Sequence, residues 1–278
     1  MLSNEPIRYS ILDPSGNITA LVESAVGADA RAAVAAELMR RHPEVEQVGF
    51  VRRTEPGDPV RAELNMAGGE FCGNASLCTA ALLLLDGDAP VGAEASVPLR
   101  VSGVRAPVEV RIRREAAERF RGGLRMPPAL SVGETELRLG GVRAPVPLVR
   151  MEGISHLILR PDCAFFLLLL DRGAAEEAVR RWCADLGADC LGLMFLEGEL
   201  PALRLTPLVF VPGSGTLFWE NSCASGSAAA ALFLAAQSGA PVDLSLEEPG
   251  GSLRVQCGGA EGEPRLIGGL RLQGRHTL

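Results

Sequence analysis

The sequence predicts an α+β protein of two similar lobes, each a sheet wrapped around one buried helix. Two observations carry that prediction. A Gly-rich loop, Ala67 to Ser76, runs directly into Leu77 to Leu85, a helical stretch apolar on every face. The same design recurs where Phe218 to Ser227 leads into Ala228 to Ala236, again without a charge. A helix with no polar face is a buried helix, so both loops open into the interior rather than onto the surface.

The remaining elements follow in order. Ile7 to Val22 reads as two short strands around the turn Asp13-Pro14-Ser15-Gly16-Asn17. Ala28 to Arg41 is alanine-rich with helical spacing, a surface helix that stops before Pro43. Val48 to Val51 and Val60 to Met66 read as strands and lead to the first loop. Strand-like segments recur at Leu99 to Val104, Val108 to Ile112, Leu157 to Leu159 and Leu203 to Phe210. Ala174 to Leu186 holds the place in the second half that Ala28 to Arg41 holds in the first. The order strands, surface helix, strands, cysteine loop, buried helix thus occurs twice. Its two cysteines, Cys72 and Cys223, lie slightly over half the chain apart. The junction is expected near Met126-Pro127-Pro128, with a first lobe over residues 1–125 and a second over 126–263. The last strands, from about residue 264 to 278, can return to the first lobe.

Composition narrows the function. A chain of 278 residues is long for one core, and a hydrophobic fraction of 47% is ample for two. A formal charge of -7 argues against nucleic acid, which announces itself by a basic patch, and gives no support for an anionic membrane surface. Met1 to Pro6 lacks the regions of a signal peptide. The longest apolar run, Cys163 to Leu170, is too short to span a bilayer, so a cytoplasmic protein is expected. Seven cysteines, an odd number, point to reduced thiols rather than a disulfide scaffold. There is no Cys-x-x-Cys pair and His42, His156 and His276 lie far apart, so no structural zinc is expected. All 27 basic residues are arginines. Without a lysine, no Schiff base to pyridoxal phosphate can form. The P-loop lysine is missing too, and no Gly-x-Gly-x-x-Gly follows a strand, so the expected cofactor is none.

Each cysteine sits where a loop turns into a buried helix. The first N–H groups of such a helix have no internal partners, and the dipole adds partial positive charge there. Those donors can hold a carboxylate, and the same field is expected to push a nearby thiol toward thiolate. Two such loops facing one another would place a thiol on each side of one substrate, as inversion at a carbon requires. An α-amino acid fits: its carboxylate takes the donors, which also stabilise the charge that develops as the α-proton leaves. Gly73, Ala224 and Ser225 supply backbone donors, Glu220 a negative charge for the ammonium, and Asn17, Asn65, Asn74 and Asn221 side-chain hydrogen bonds.

The same residues resemble a known family. Cys72-Gly73-Asn74-Ala75 resembles the first cysteine motif of diaminopimelate epimerase and its cofactor-independent relatives, and Cys223-Ala224-Ser225-Gly226 the second. In the second, Ala224 replaces the usual glycine. Pro14-Ser15-Gly16-Asn17 and Gly153-Ile154-Ser155-His156 extend the likeness over nearly the whole chain. Within the family, Glu46-Gln47-Val48-Gly49-Phe50, Trp219-Glu220-Asn221-Ser222-Cys223 and Pro249-Gly250-Gly251-Ser252 are similar to the histidine racemases that feed staphylopine-type opine metallophore synthesis. The resemblance implies mostly antiparallel barrels around the two helices, and Cys72 and Cys223 as the two bases. It implies L- and D-histidine as the substrate pair, and it admits a homodimer. Asn221 stands where the family's diaminopimelate enzymes carry an arginine, and Ile154 where they carry an asparagine. The distal charge clamp is therefore gone, which suits a neutral or aromatic side chain.

Other residues invite plainer readings. Cys78 reads as helix packing, and Cys163, Cys183, Cys190 and Cys257 as structural. His156 matches a family histidine near the thiols, and equally reads as a satisfied core histidine. His42 and His276 read as solvated. Glu46 and Gln47 either line the pocket or cap a strand, and Asn17 either binds substrate or serves its turn. A racemase for another amino acid, an isomerase of the same fold and a non-catalytic amino-acid-binding protein are the rival readings.

Overall fold

A computed structural model describes residues 6–259 and 262–278. The reading that the first residues lack a signal peptide falls almost wholly on residues 1–5, outside the described residues. The chain is α+β. Its elements begin β1 (Arg8–Asp13), β2 (Thr19–Val22), α1 (Ala28–Arg41), β3 (Gln47–Arg53), β4 (Ala62–Met66) and α2 (Gly73–Asp86). Strands β5 (Glu94–Val101), β6 (Val108–Arg114), β7 (Arg119–Arg125), β8 (Ala129–Leu139), β9 (Val142–Met151) and β10 (Ile154–Leu159) follow. Then come α3 (Arg172–Leu186), β11 (Leu191–Glu199), β12 (Ala202–Val211), β13 (Thr216–Trp219) and α4 (Ala224–Ser238). The chain closes with β14 (Val242–Glu248), β15 (Gly251–Cys257) and β16 (Arg265–Thr277). Contacts divide the chain into residues 1–125 with 267–278, and residues 126–266.

In the first unit the strands run β1-β2-β3-β4-β5-β6-β7-β16, and β16 pairs back onto β1, closing a barrel. Two pairs are parallel, β2 with β3 and β4 with β5. Parallel neighbours need a crossover, and α1 and α2 supply the two. Helix α2 touches every strand from β2 to β7, as its sequence requires: Leu77, Cys78, Ala80 and Ala81 are fully buried on successive faces. Its interior hydroxyls bond within the helix, Ser76 to the Cys72 carbonyl (2.8 Å) and Thr79 to that of Ala75 (2.9 Å), so none is stranded in the core. Helix α1 packs Val34, Ala35 and Leu38 against Tyr9, Ile11, Val22 and Val48 in a separate cluster. Strand β5 begins at Glu94, earlier than hydrophobicity alone suggests, because Glu94 to Pro98 pair with Glu109 to Arg113 of β6. It ends at Val101 rather than Val104 because the chain turns at Gly103, whose φ is +77°.

The second unit orders its strands β15-β14-β12-β11-β10-β9-β8, with β13 added to β12. Here β10 pairs parallel with β11 across α3, and β12 with β14 across α4. Helix α4 lies against β8, β9, β10, β11, β14 and β15. Helix α3 buries Trp182 among Phe165, Val179 and Leu193, with the indole N–H donating to the Arg138 carbonyl (3.1 Å). Among the described residues no helix is long and apolar enough to cross a membrane.

Candidate active site

Both cysteines occupy the N-cap of their helix, in extended backbone that turns the chain into the barrel or sheet interior. Cys72 has φ −132° and ψ 112°, and Cys223 has φ −128° and ψ 102°. Each sulfur takes a backbone N–H from the first turn: Ala75 N–H reaches Cys72 Sγ at 3.3 Å, and Gly226 N–H reaches Cys223 Sγ at 3.4 Å. The thiols thus stand where serine or aspartate would cap an ordinary helix. Both are buried, at 6% and 5% exposure.

Around Cys72 the structure gathers much of the predicted set. The thiol donates to Gln47 Oε1 (2.6 Å), from the first residue of β3. Asn74 Nδ2 donates to Asn17 Oδ1 (3.2 Å), and Asn17 Nδ2 in turn to Glu46 Oε2 (2.7 Å). Asn17 is fully buried, so it does more than shape its turn. Gly73 opens α2 and offers its N–H at the helix start. Asn65 stands apart: it is half-buried on β4 beside inward-facing Leu64 and Met66, outside this hydrogen-bonded group. The sequence reading missed what holds the loop from behind. Ser102 Oγ donates to the Glu70 carbonyl (2.8 Å) and accepts the Met66 N–H (2.9 Å). Gly103 then passes so close that a Cβ there would lie 2.3 Å from Phe71 N.

Around Cys223 the partners are acids. Buried Glu220 adjoins the thiol, and Ser225 Oγ lies 3.6 Å from Sγ. Ala224 and Ser225 are the first two helical residues, where N–H groups have no internal acceptor. Gly226 packs closely: a Cβ there would meet Met194 Sδ at 2.2 Å and Cys223 Sγ at 3.2 Å, so the Met194 side chain would have to move aside. Asn221 is solvent-exposed, its carbonyl accepting the Gly250 N–H (2.8 Å). Absent from the sequence reading is Glu248, at the end of β14, whose carboxyl accepts the Cys223 N–H at 2.5 Å.

The electrostatics correct one expectation. A helix start was expected to push a thiol toward thiolate, yet burial pushes the Cys223 thiol well up, and the Glu220 and Glu248 carboxyls push it further. Desolvation with two neighbouring acids outweighs the helix-start donor and the Ser225 hydroxyl, so Cys223 rests as a thiol. Cys78 is likewise raised by burial, in keeping with its packing role. His42 is also corrected. It is half-buried rather than solvated, with Nε2 2.9 Å from the Tyr9 hydroxyl, while exposed His276 stacks on the Tyr9 ring.

His156, on β10, is completely buried, and neither ring nitrogen has a hydrogen-bond partner among the described residues. Burial lowers it to about 3, whereas burial raises Glu248 to about 8. These shifts act on stability with opposite signs. The unfolded chain protonates its histidine near 6.5, so the contribution of neutral His156 is complete above pH 6.5 and is lost as pH falls toward 3. The contribution of neutral Glu248 is complete below 4.5 and is lost as pH rises through 8. Between pH 6.5 and 8 Glu248 acts without that opposition, and stability is expected to fall by about 2 kcal/mol. Urea unfolding followed by tryptophan fluorescence at the two pH values measures it, and Glu248→Gln is expected to flatten the decline.

A family described as the histidine racemase CntK N-terminal domain matches residues 6–275. The histidine racemase of Staphylococcus aureus is 28% identical over 256 residues, covering 91% of this chain and 89% of that protein. The histidine racemase of Fusobacterium nucleatum is 29% identical over 233 residues, covering 80% and 78%. Among solved structures, a hydroxyproline epimerase from Agrobacterium vitis with bound trans-4-hydroxy-L-proline aligns at a TM-score of 0.70. It has 15% identity and the alignment covers 100% of this chain and 94% of that one, a likeness of fold.

Proposed function

Because this chain belongs to the histidine racemase family it is an isomerase, and we propose that it interconverts L- and D-histidine by proton transfer between Cys72, Cys223 and the α-carbon. The observation that carries this reading is the matched pair of thiols, each capping a buried helix. One thiolate takes the α-proton, and the C–H electron pair moves into the carboxylate. The other thiol then returns a proton to the opposite face. Helix-start N–H groups at Gly73, Asn74, Ala224 and Ser225 hold the carboxylate and stabilise the charge it gains.

The surroundings of Cys223 support an order for the two steps. Cys223, kept protonated by burial and its acidic neighbours, is the group that donates to the incoming substrate. The Cys72 thiol donates to an amide. The Gln47 side chain accepts from the thiol as it stands, and rotated half a turn it would donate to a thiolate, so one residue serves both states. Glu220 is the charge for the substrate ammonium. D-Histidine formed this way would feed opine metallophore synthesis.

The test is α-proton exchange of L-histidine in heavy water, followed by NMR with reduced protein and no added cofactor. Deuterium uptake accompanied by D-histidine is the expected result. Exchange on a different amino acid in a panel would keep the chemistry and overturn the substrate. Tight binding without exchange on any of them would make the protein an amino-acid-binding one.

A further inference from the structure

We propose that Glu248 is a positioning residue for Cys223, clamping the start of α4 from behind with a carboxyl that bridges the cysteine N–H and the Ser227 hydroxyl. The proposal rests on the reading of Cys223 as a reacting group.

Glu248 lies 25 residues beyond Cys223, with 8% of its surface exposed. One oxygen accepts the Cys223 N–H at 2.5 Å, and the other shares a short hydrogen bond with the Ser227 hydroxyl. Cys223 is the N-cap and Ser227 lies in the first turn, its own N–H bonded to the Cys223 carbonyl (2.9 Å). A single rigid group therefore grips the helix start at both ends of one turn. The Pro249-Gly250-Gly251 turn that follows is itself tied to the loop before the cysteine, through Gly250 N–H to the Asn221 carbonyl (2.8 Å). This fixes the N-cap backbone and so the direction of the Cys223 sulfur. It also leaves the Ala224 and Ser225 N–H groups pointing onward for a substrate carboxylate.

A carboxyl is an unexpected choice beside a thiol and a second acid, because an ionised Glu248 would oppose any thiolate at Cys223. Burial resolves the conflict by holding the group neutral up to about pH 8. The ionisable groups set against it are Glu220 and Cys223; neither is basic, so nothing among them draws the proton off. The clamp therefore supplies geometry without charge at neutral pH.

Three variants of this chain test this, each first checked for folding by circular dichroism. Glu248→Gln preserves both hydrogen bonds, the amide oxygen accepting from Cys223 and the amide N–H donating to Ser227. It is expected to keep most of kcat at pH 7 and to move the alkaline fall of kcat to higher pH. Glu248→Ala removes the clamp, and a kcat loss of about 10- to 100-fold is expected from a misdirected sulfur. Ser227→Ala keeps the Cys223 contact and is expected to fall between them. A second readout is the rate at which iodoacetamide alkylates Cys223, mapped by peptide mass spectrometry across pH. Its profile is expected to change in Glu248→Ala and to hold at pH 7 in Glu248→Gln. Wild-type kcat and an unchanged alkylation profile in a folded Glu248→Ala protein would overturn the proposal, as would a folded Glu248→Gln protein as impaired as the alanine variant. If the wild-type protein exchanges no α-proton at all, the racemase reading fails first, and the alkylation profile still decides whether Glu248 positions Cys223.

Discussion

Cys72→Ser and Cys223→Ser are each expected to abolish formation of D-histidine from L-histidine, lowering kcat by about a thousandfold or more. A serine hydroxyl keeps the N-cap hydrogen bond, so the fold survives, but it is far too weak an acid to supply a thiolate-like base near neutral pH. Two-base transfer needs both groups in one turnover. The double variant is therefore expected to be no worse than either single one, since residues acting as a unit lose their effect together. Chiral chromatography of timed reactions measures this, with Cys163→Ser as a control because Cys163 is half-buried against the α3 core and far in sequence from both loops. Substantial activity in either catalytic variant would require a one-base mechanism.

Gly103→Ala is expected to be among the most destabilising single changes in the first barrel. Its φ of +77° already costs an L-residue about 1–2 kcal/mol. The added Cβ would also lie 2.3 Å from Phe71 N, a backbone atom that no rotamer change can move aside. Overpacking of that kind adds roughly 1–3 kcal/mol, for a total near 3 kcal/mol. Gly57 provides the comparison, with φ +100° but no atom within 4 Å of its built Cβ. Gly57→Ala isolates the dihedral penalty, and the difference in urea midpoints between the two variants reports the clash. Because Phe71 immediately precedes Cys72, Gly103→Ala is expected to lower kcat as well, whereas Gly57→Ala leaves it unchanged. Equal midpoints for the two would show that the cysteine loop yields to make room.

Much of the scaffold was legible from short-range pattern. Helix α1 runs over Ala28–Arg41 as its spacing and Pro43 indicate, and α2 and α4 are buried as the lack of a polar face requires, though each starts just after its capping cysteine, about four residues before the Leu77 and Ala228 starts that hydrophobicity marks. The association of Gln47, Asn17 and Asn74 with Cys72 was legible too, though only as a set of suitable residue types near motif positions. Strands were less so. β7, β8, β9, β11, β13, β14 and β15 are not assigned from the sequence, and β5 is displaced at both ends, because a strand is defined by the partner it pairs with as much as by its own residues.

By itself the sequence determined the α+β class, the two cysteine loops, their buried helices and the absence of a lysine for Schiff-base chemistry. These are properties of composition and of runs of a few residues, where capping and periodicity act. The tertiary structure alone decided that Ser102 and Gly103 brace the first loop and that Glu248 clamps the second. It also decided that Cys223 rests protonated. Those outcomes depend on which distant strands bring which groups into contact, and on how much water they exclude. Desolvation and hydrogen bonds across 25 or 32 residues leave no local pattern to read.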